Sequence, residues 1–370
     1  MAMLLMPQRI LLVYTKAGGG HFALAQNLHK LLTELEPESE VRLFNFFDVG
    51  PRWIAQAIQD GYNFAVNKQR WLFTVFQAFY QTRPAIQSFA RVLGMRLAPA
   101  INEYLEEFRP DKIIYCYPVN HGFRRLPYVR KHKPKTLTVV SDIFSPHLYW
   151  FIDTKDQYVV ASPEAYSIAR RYRVPPENLH YFQTLIDPKY DQPLAPEEVA
   201  RLRQEWGLVH PYTVLLTGGG AGLKISHRLV RELVKIEGIN VVVVCGYNQK
   251  LYRQLETFKQ KNQIANLILF GFTKQMYELI NVSNVVVSKA GPATIAEVLS
   301  QHKDLIVCDY VWPQEHGNVE LIRHEKLGYY IRQPRKIAEK IRELKSRPPE
   351  RKTLNLQNDI VRLARYILAL

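Results

Sequence analysis

Three glycine-rich turns carry most of the chain's chemistry-bearing side chains. The first is Gly18-Gly19-Gly20-His21, placed between a short apolar run and a helical pattern. Glycines there let the backbone turn tightly and approach a ligand. The helix start adds free N–H groups and a positive dipole end. A neutral imidazole at that point can take a proton from a hydroxyl or hydrogen-bond it. The second turn is Thr217-Gly218-Gly219-Gly220-Ala221-Gly222, again between an apolar run and a helical pattern. The third is richer and runs from Ser288 to Glu297 as Ser-Lys-Ala-Gly-Pro-Ala-Thr-Ile-Ala-Glu. Proline suits a first helical position, and the N–H groups there, with the Thr294 hydroxyl, suit a diphosphate. Beyond a short loop, Gln314, Glu315 and Asn318 fall at i, i+1 and i+4 of a helix start. Their carboxylate and amide groups can hold sugar or ribose hydroxyls. The plainer alternative for each turn is a structural loop or a helix cap. A cap explains one of Gln314, Glu315 and Asn318 but not the set. Neither the Rossmann nor the Walker spacing is met.

These turns need strands and helices to hold them. Arg9–Tyr14, Val41–Phe46, Lys112–Cys116, Thr136–Val140, Tyr158–Val160 and Leu179–Phe182 read as strands in the first half. Between the first two, His21–Leu32 places Ala25, Leu28, Leu31 and Leu32 on one helical face. Ile186–Pro196 lacks periodicity and reads as a linker. The alternation then restarts with strands at Thr213–Thr217, Asn240–Cys245, Leu267–Phe270, Asn284–Val287 and Leu305–Cys308. Helices are expected to begin near Leu223, Gln249, Lys274, Pro292 and Glu315. Parallel strands joined by helices satisfy this pattern. The expectation is an α/β chain of two doubly wound domains, 1–188 and 189–340, with terminal helices over 341–370. In such sheets ligands bind at the carboxyl ends of the strands.

Composition narrows the partners. The 370 residues are too many for one ordinary core. They are 47% apolar and 22% charged, a globular balance. Cys116, Cys245 and Cys308 lie far apart in apolar runs, which suits buried thiols and neither a disulfide framework nor a metal site. A net charge of +15 calls for an anionic partner. From Gly50 to Asn102 the only acid is Asp60, among Arg52, Lys68, Arg70, Arg83, Arg91, Arg96 and nine aromatic rings. A second acid-free basic run spans Arg124–Lys135. Bases beside aromatic side chains suit a headgroup interface. No nucleic-acid-binding motif occurs, so nucleic acid is not an expected partner. No apolar stretch approaches the roughly 18–20 residues that span a bilayer. Arg9 interrupts the N-terminal run and no cleavage site follows, so a signal peptide is not expected. A peripheral position on the cytoplasmic side of a membrane follows as the expectation.

The motifs Gly18–His21, Ser288–Glu297 and Gln314–Asn318 resemble those of a family of lipid glycosyltransferases. It includes the monogalactosyldiacylglycerol synthases and the processive diacylglycerol glucosyltransferases. More distantly, the chain is similar to the peptidoglycan lipid-intermediate GlcNAc transferase. The resemblance covers about Ile10 to Leu327 and implies a GT-B fold, its two Rossmann-like domains facing a central cleft. It also implies an inverting transfer of a hexose from a UDP-sugar to a membrane lipid such as diacylglycerol, with monotopic attachment to the cytoplasmic face. By the family's pattern, Gly19 and Gly20 fall on the acceptor side and His21 beside the reacting centre. An Asp-x(4)-His-x(2)-Trp signature appears as Asp142, His147 and Trp150, with His147 and Trp150 on the acceptor side. Phe272 falls where the family places the uracil. Ala290, Gly291, Ala293 and Thr294 fall in the diphosphate loop, and Gln314, Glu315 and Asn318 in the donor-hydroxyl set. Gly219, Gly220 and Gly222 join the donor side. Lys16-Ala17 and Trp312-Pro313 depart from the usual pattern, which leaves the donor sugar open. The last helix is expected to cross back to the first domain, as in the family.

An inverting displacement needs a base for the acceptor hydroxyl and a positive environment for the leaving diphosphate. Asp142 is the preferred base, with His21 positioning the acceptor. The helix starts at Gly219–Gly222 and Gly291–Thr294 supply the second need. No Asp-x-Asp motif lies near, so metal-independent chemistry is expected, with stimulation by a divalent ion left open; the UDP-sugar is a co-substrate, and no permanently bound cofactor is expected. Two rivals keep the donor motifs. A UDP-sugar epimerase or hydrolase would need no lipid acceptor. A non-catalytic membrane-bound UDP-sugar sensor would have no use for Asp142 and His21.

Overall fold

The computed structural model describes residues 7–15, 20–49, 83–218, 227–312, 315–347 and 357–370, with side chains only from residue 96 in the helix Arg83–Phe108. The chain divides into two compact units. One comprises Met1–Asp187, Trp312–Gln314 and Gln357–Leu370, and the other Pro188–Val311 and Glu315–Leu356.

The first unit is built on β1 (Arg9–Tyr14), β2 (Glu40–Asn45), β3 (Lys112–Tyr115), β4 (Lys135–Val139), β5 (Tyr158–Val160) and β6 (Leu179–Tyr181). All six pair in parallel, in the order β2-β1-β3-β4-β5-β6. The strand order reverses between β1 and β3, which opens a crevice at their carboxyl ends. The helix Gly20–Leu35 starts there. It buries Leu24, Ala25, Leu28, Leu31 and Leu32, one apolar stripe at the 3.6-residue period. The unit's last element is the helix Ile360–Ala369, which packs against Gly20–Leu35. Its buried side chains Ile360, Leu363, Ala364, Ile367 and Leu368 form the stripe, while Arg362 and Arg365 stay exposed. Two polar anchors fix this helix. Lys112 Nζ, buried at the start of β3, donates to the carbonyls of Ile367 and Leu368 at 2.8 and 2.7 Å. Asp359 accepts from the backbone N–H of Gln183 at 2.8 Å.

The second unit repeats the plan with β7 (Tyr212–Thr217), β8 (Ile239–Val244), β9 (Leu267–Phe270), β10 (Val285–Lys289), β11 (Asp304–Asp309) and β12 (Tyr329–Tyr330). These are also all parallel, in the order β12-β11-β10-β7-β8-β9. The reversal now lies between β10 and β7. Ile239–Val244 is buried at every position, as a strand covered on both faces must be. The α/β reading and the strand list from the sequence therefore hold, with β12 added. Among the described residues no helix is long and apolar enough to cross a membrane.

Candidate active site

In the first unit the carboxyl ends of β3 and β4 and the start of the helix Gly20–Leu35 bring His21, Ser141, Asp142, His147 and Trp150 together. β4 ends at Val139, and Ser141 and Asp142 follow as the chain leaves the sheet. His21 Nδ1 lies 2.7 Å from Ser141 Oγ. The His21 ring meets Tyr117 edge-on at 5.1 Å and Trp150 at 5.7 Å. Burial is the main influence on His21 and pushes its titration below that of an ordinary histidine; Asp142 pulls it up and His147 pushes it down. The imidazole is thus held neutral near pH 7, the state in which it accepts a proton.

Asp142 is 9% exposed. Its Oδ2 accepts from Trp150 Nε1 at 2.7 Å and lies 3.8 Å from His147 Nε2. His147 caps the short 3-10 turn Leu148–Phe151, its Nδ1 accepting from the Tyr149 N–H at 3.3 Å. That bond leaves the neutral ring's proton on Nε2, facing Asp142. Burial lowers the titration of His147 and Asp142 raises it. Trp150, which the family pattern places on the acceptor side, is fully buried, and its indole N–H donates to Asp142. A large ring in a packed core turns its polar edge to a partner there, not to a ligand.

In the second unit the reversal between β10 and β7 is flanked by Lys289, Ala290 and Gly291. Gly291 caps the helix Pro292–Ser300 with an extended backbone, φ −70° and ψ 127°. A Cβ placed there would meet Lys289 Nζ at 3.5 Å and Thr294 Oγ1 at 3.9 Å. An ammonium, a hydroxyl and a helix start thus converge on one point. Lys289 also pairs with Glu315. Glu315 is 6% exposed, and its Oε2 accepts from the Val311 N–H at 2.9 Å. Asn318 Nδ2 donates to the Ala290 carbonyl at 2.7 Å. Glu315 and Asn318 therefore brace the loop after β10. Ala293 lies in the first turn of Pro292–Ser300, half-buried.

Phe272 follows β9 and is 52% exposed. It stacks on Tyr247, which follows β8, with centroids 4.4 Å apart and planes at 12°. Gly246, at φ 58°, takes the left-handed backbone that turns Tyr247 out of β8. Gly20 opens its helix, while Gly18, Gly19, Gly219, Gly220, Gly222 and Gln314 lie outside the described residues. So does most of the basic aromatic segment from Gly50 onward. The second basic run is described: Arg124, Arg125, Arg130, Lys131, Lys133 and Lys135 are all exposed. Among the described residues no group of three or more His, Cys, Asp or Glu side chains gathers as a metal site.

Comparison with known proteins then gives these clusters a setting. Residues 21–182 match the monogalactosyldiacylglycerol (MGDG) synthase family model, and residues 213–365 match the glycosyltransferase family 28 C-terminal domain. This chain resembles the monogalactosyldiacylglycerol synthases. A probable synthase of Nicotiana tabacum is 28% identical over 348 residues, and the synthase of Spinacia oleracea 27% over 350. Each alignment covers 90% of this chain. The chain spans 63% and 66% of those relatives' lengths. Among solved structures, Acinetobacter baumannii MurG superposes with a TM-score of 0.56 at 14% identity, covering 97% of this chain and 95% of that one. Anabaena HepE in complex with UDP-glucose gives 0.53 at 13%, covering 98% and 94%. The fold class is that of these GT-B glycosyltransferases.

The sequence reading missed two residues of these clusters. Ser141 is inconspicuous beside Asp142, and only the folded sheet sets it against His21, far away in sequence. Lys289 stands inside the Ser288–Glu297 motif, but its partner Glu315 lies beyond β11, just before the helix His316–His324.

Proposed function

We propose that this chain transfers a hexose from a UDP-sugar to diacylglycerol, with inversion at the anomeric carbon, at an anionic membrane surface. The observation that carries this reading is the His21–Ser141–Asp142 cluster, set at the carboxyl edge of a sheet inside the stretch matched by the MGDG synthase model. His21 is the better base. It is neutral and half-buried, whereas Asp142 is buried and tied to Trp150. Asp142 then balances the imidazolium that forms, reversing the preference drawn from sequence. His147, Gly19 and Gly20 line the acceptor side.

The donor belongs to the second unit. Lys289, the Thr294 hydroxyl and the N–H groups of Ala293 and Thr294 at the helix start take the diphosphate, and the same groups meet the charge that develops on the leaving UDP. That arrangement supports chemistry without a metal. Phe272, with Tyr247 behind it, offers a face for the uracil. Gln314, Glu315 and Asn318 hold sugar hydroxyls. The first unit, up to about residue 188, is then the acceptor and membrane domain, and 189–340 the nucleotide-sugar domain. The exposed bases of 124–135 support attachment to anionic headgroups, and the cytoplasmic face is where such lipids concentrate.

The deciding assay is UDP release from UDP-glucose and UDP-galactose, each with and without diacylglycerol in anionic vesicles. Acceptor-dependent release with one sugar supports the transferase and names its donor. Release without acceptor would replace it by the hydrolase reading. No release, with intact UDP binding, would favour the sensor.

A further inference from the structure

One ring nitrogen of His21 is already engaged by a protein hydroxyl. Nδ1 faces Ser141 Oγ at 2.7 Å. A hydrogen bond to the Cys116 backbone favours the protonated ring, the mark of an acceptor carbonyl. The Cys116 N–H is engaged elsewhere, with the Val13 carbonyl at 2.8 Å. A carbonyl only accepts, so this interaction favours the neutral tautomer whose N–H is the nitrogen away from Ser141. Nδ1 is then the bare nitrogen, and the Ser141 hydroxyl donates to it. An acceptor alcohol has no open lone pair of His21 to reach. It does have Ser141 Oγ, half-buried and with lone pairs to spare.

We infer that Ser141 is the group that receives the acceptor's proton, passing its own proton to His21. The step balances as follows. The acceptor O–H gives its proton to Ser141 Oγ while the Ser141 proton moves to His21 Nδ1. The acceptor oxygen forms its bond to the anomeric carbon as the bond from that carbon to the diphosphate oxygen breaks. The electron pair leaves with UDP, and the imidazolium later returns its proton to solvent. Asp142 and His147 are the charged or titratable groups acting on His21. Tyr117 lies against its ring and Cys116 behind it. Both are protonated near neutral pH, because burial pushes each up to about 12. Asp142 thus faces the charge that appears on His21, while Trp150 and His147 hold Asp142 in place.

The inference rests on the transferase reading, and its test separates the two. With wild type turning over in the vesicle assay, Ser141→Ala is expected to lower kcat about 10²–10³-fold, the range of a lost proton-transfer group. KM for the donor should stay within threefold. Ser141→Thr keeps the hydroxyl and should return kcat to within about tenfold of wild type. The double variant Ser141→Ala/His21→Gln should be no slower than His21→Gln alone, because the two act in one chain. A proton inventory in mixed H2O and D2O should be curved for wild type and linear for Ser141→Ala. Additive losses, or a Ser141→Ala kcat within threefold of wild type, overturn the relay and leave the transferase standing. A silent wild type sinks the functional reading instead. The relay is then judged by nitrogen-15 NMR of the His21 ring. The proton must sit on Nε2 at neutral pH, and removal of the Ser141 hydroxyl must move the Nδ1 shift. A proton found on Nδ1 overturns it.

Discussion

Replacing Glu315 by Gln removes a charge and little else. One Glu315 oxygen meets Lys289 and the other accepts from the Val311 N–H at 2.9 Å. The Glu315 side chain is 8% exposed and that of Lys289 is 32% exposed. Gln keeps the volume, and its amide oxygen can still accept from Val311. The quantity lost is the ion pair. A hydrogen bond to a charged group contributes about 1.5–3 kcal/mol net. Lys289 can regain some water, so a cost of about 2 kcal/mol is expected. At a urea m-value of about 2 kcal/mol/M, the unfolding midpoint of the second unit should fall by about 1 M. Lys289→Met leaves a buried carboxylate without a counter-charge and should cost about 3 kcal/mol. The double variant should cost less than the sum, with a coupling of about 1 kcal/mol or more. Urea unfolding of the full chain, followed by circular dichroism, measures all three. A midpoint unmoved by Glu315→Gln, or strictly additive costs, would refute the pairing. Titration calorimetry with UDP then separates structure from binding. Lys289→Met should weaken UDP at least about tenfold, about 1.4 kcal/mol, and Glu315→Gln less than threefold.

Other expectations test the remaining parts. Trp150→Phe removes the donor to Asp142 and should lower kcat about 10–100-fold with UDP affinity unchanged, read in the vesicle assay; an unaltered kcat would show that Asp142 needs no orienting. Phe272→Ala should weaken UDP about tenfold by calorimetry through loss of one stacking face. Reversing Arg130, Lys131 and Lys133 to Glu should reduce co-sedimentation with anionic vesicles and leave neutral vesicles unaffected. Burial lowers Lys112 and Lys303 to about 8 from an ordinary 10.5. Between pH 8 and 10 the unfolded chain therefore binds more protons there, and their contribution to stability rises with pH. Urea midpoints measured across that window should rise less in Lys112→Met/Lys303→Met than in wild type.

Most of both sheets was legible because buried parallel strands read as uninterrupted apolar runs, as in Ile239–Val244. β12 escaped notice because Tyr329–Tyr330 is two residues long and half-buried, too short to show a period. His21 and Thr294 were visible because glycine or proline marks a helix start beside each. Ser141 was not, since nothing in a Ser–Asp pair says which helix will lie opposite. Trp150 was visible, but its bond to Asp142 was not. An aromatic ring next to an acid and a histidine suggests a ligand contact, and only burial shows that its N–H serves the acid. Lys289 was read as part of a loop because a lysine's partner is set by packing, here through a glutamate just before the helix that follows β11.

The docking of Ile360–Ala369 onto Gly20–Leu35 has a consequence in time. Apart from the short stretch Trp312–Gln314, the first unit is left at Asp187 and rejoined at Gln357. During synthesis its sheet can form early, but the apolar stripe it needs from Leu363, Ile367 and Leu368 does not yet exist. About 170 residues intervene, roughly 10–30 s of translation at ~5–20 residues per second. For that interval the side of the Gly20–Leu35 helix that meets Ile360–Ala369 is uncovered, and the carbonyls that Lys112 will hold have not been made. The nascent chain is therefore most exposed to aggregation and to chaperone capture after residues up to Asp187 have left the ribosome and before the helix Ile360–Ala369 has.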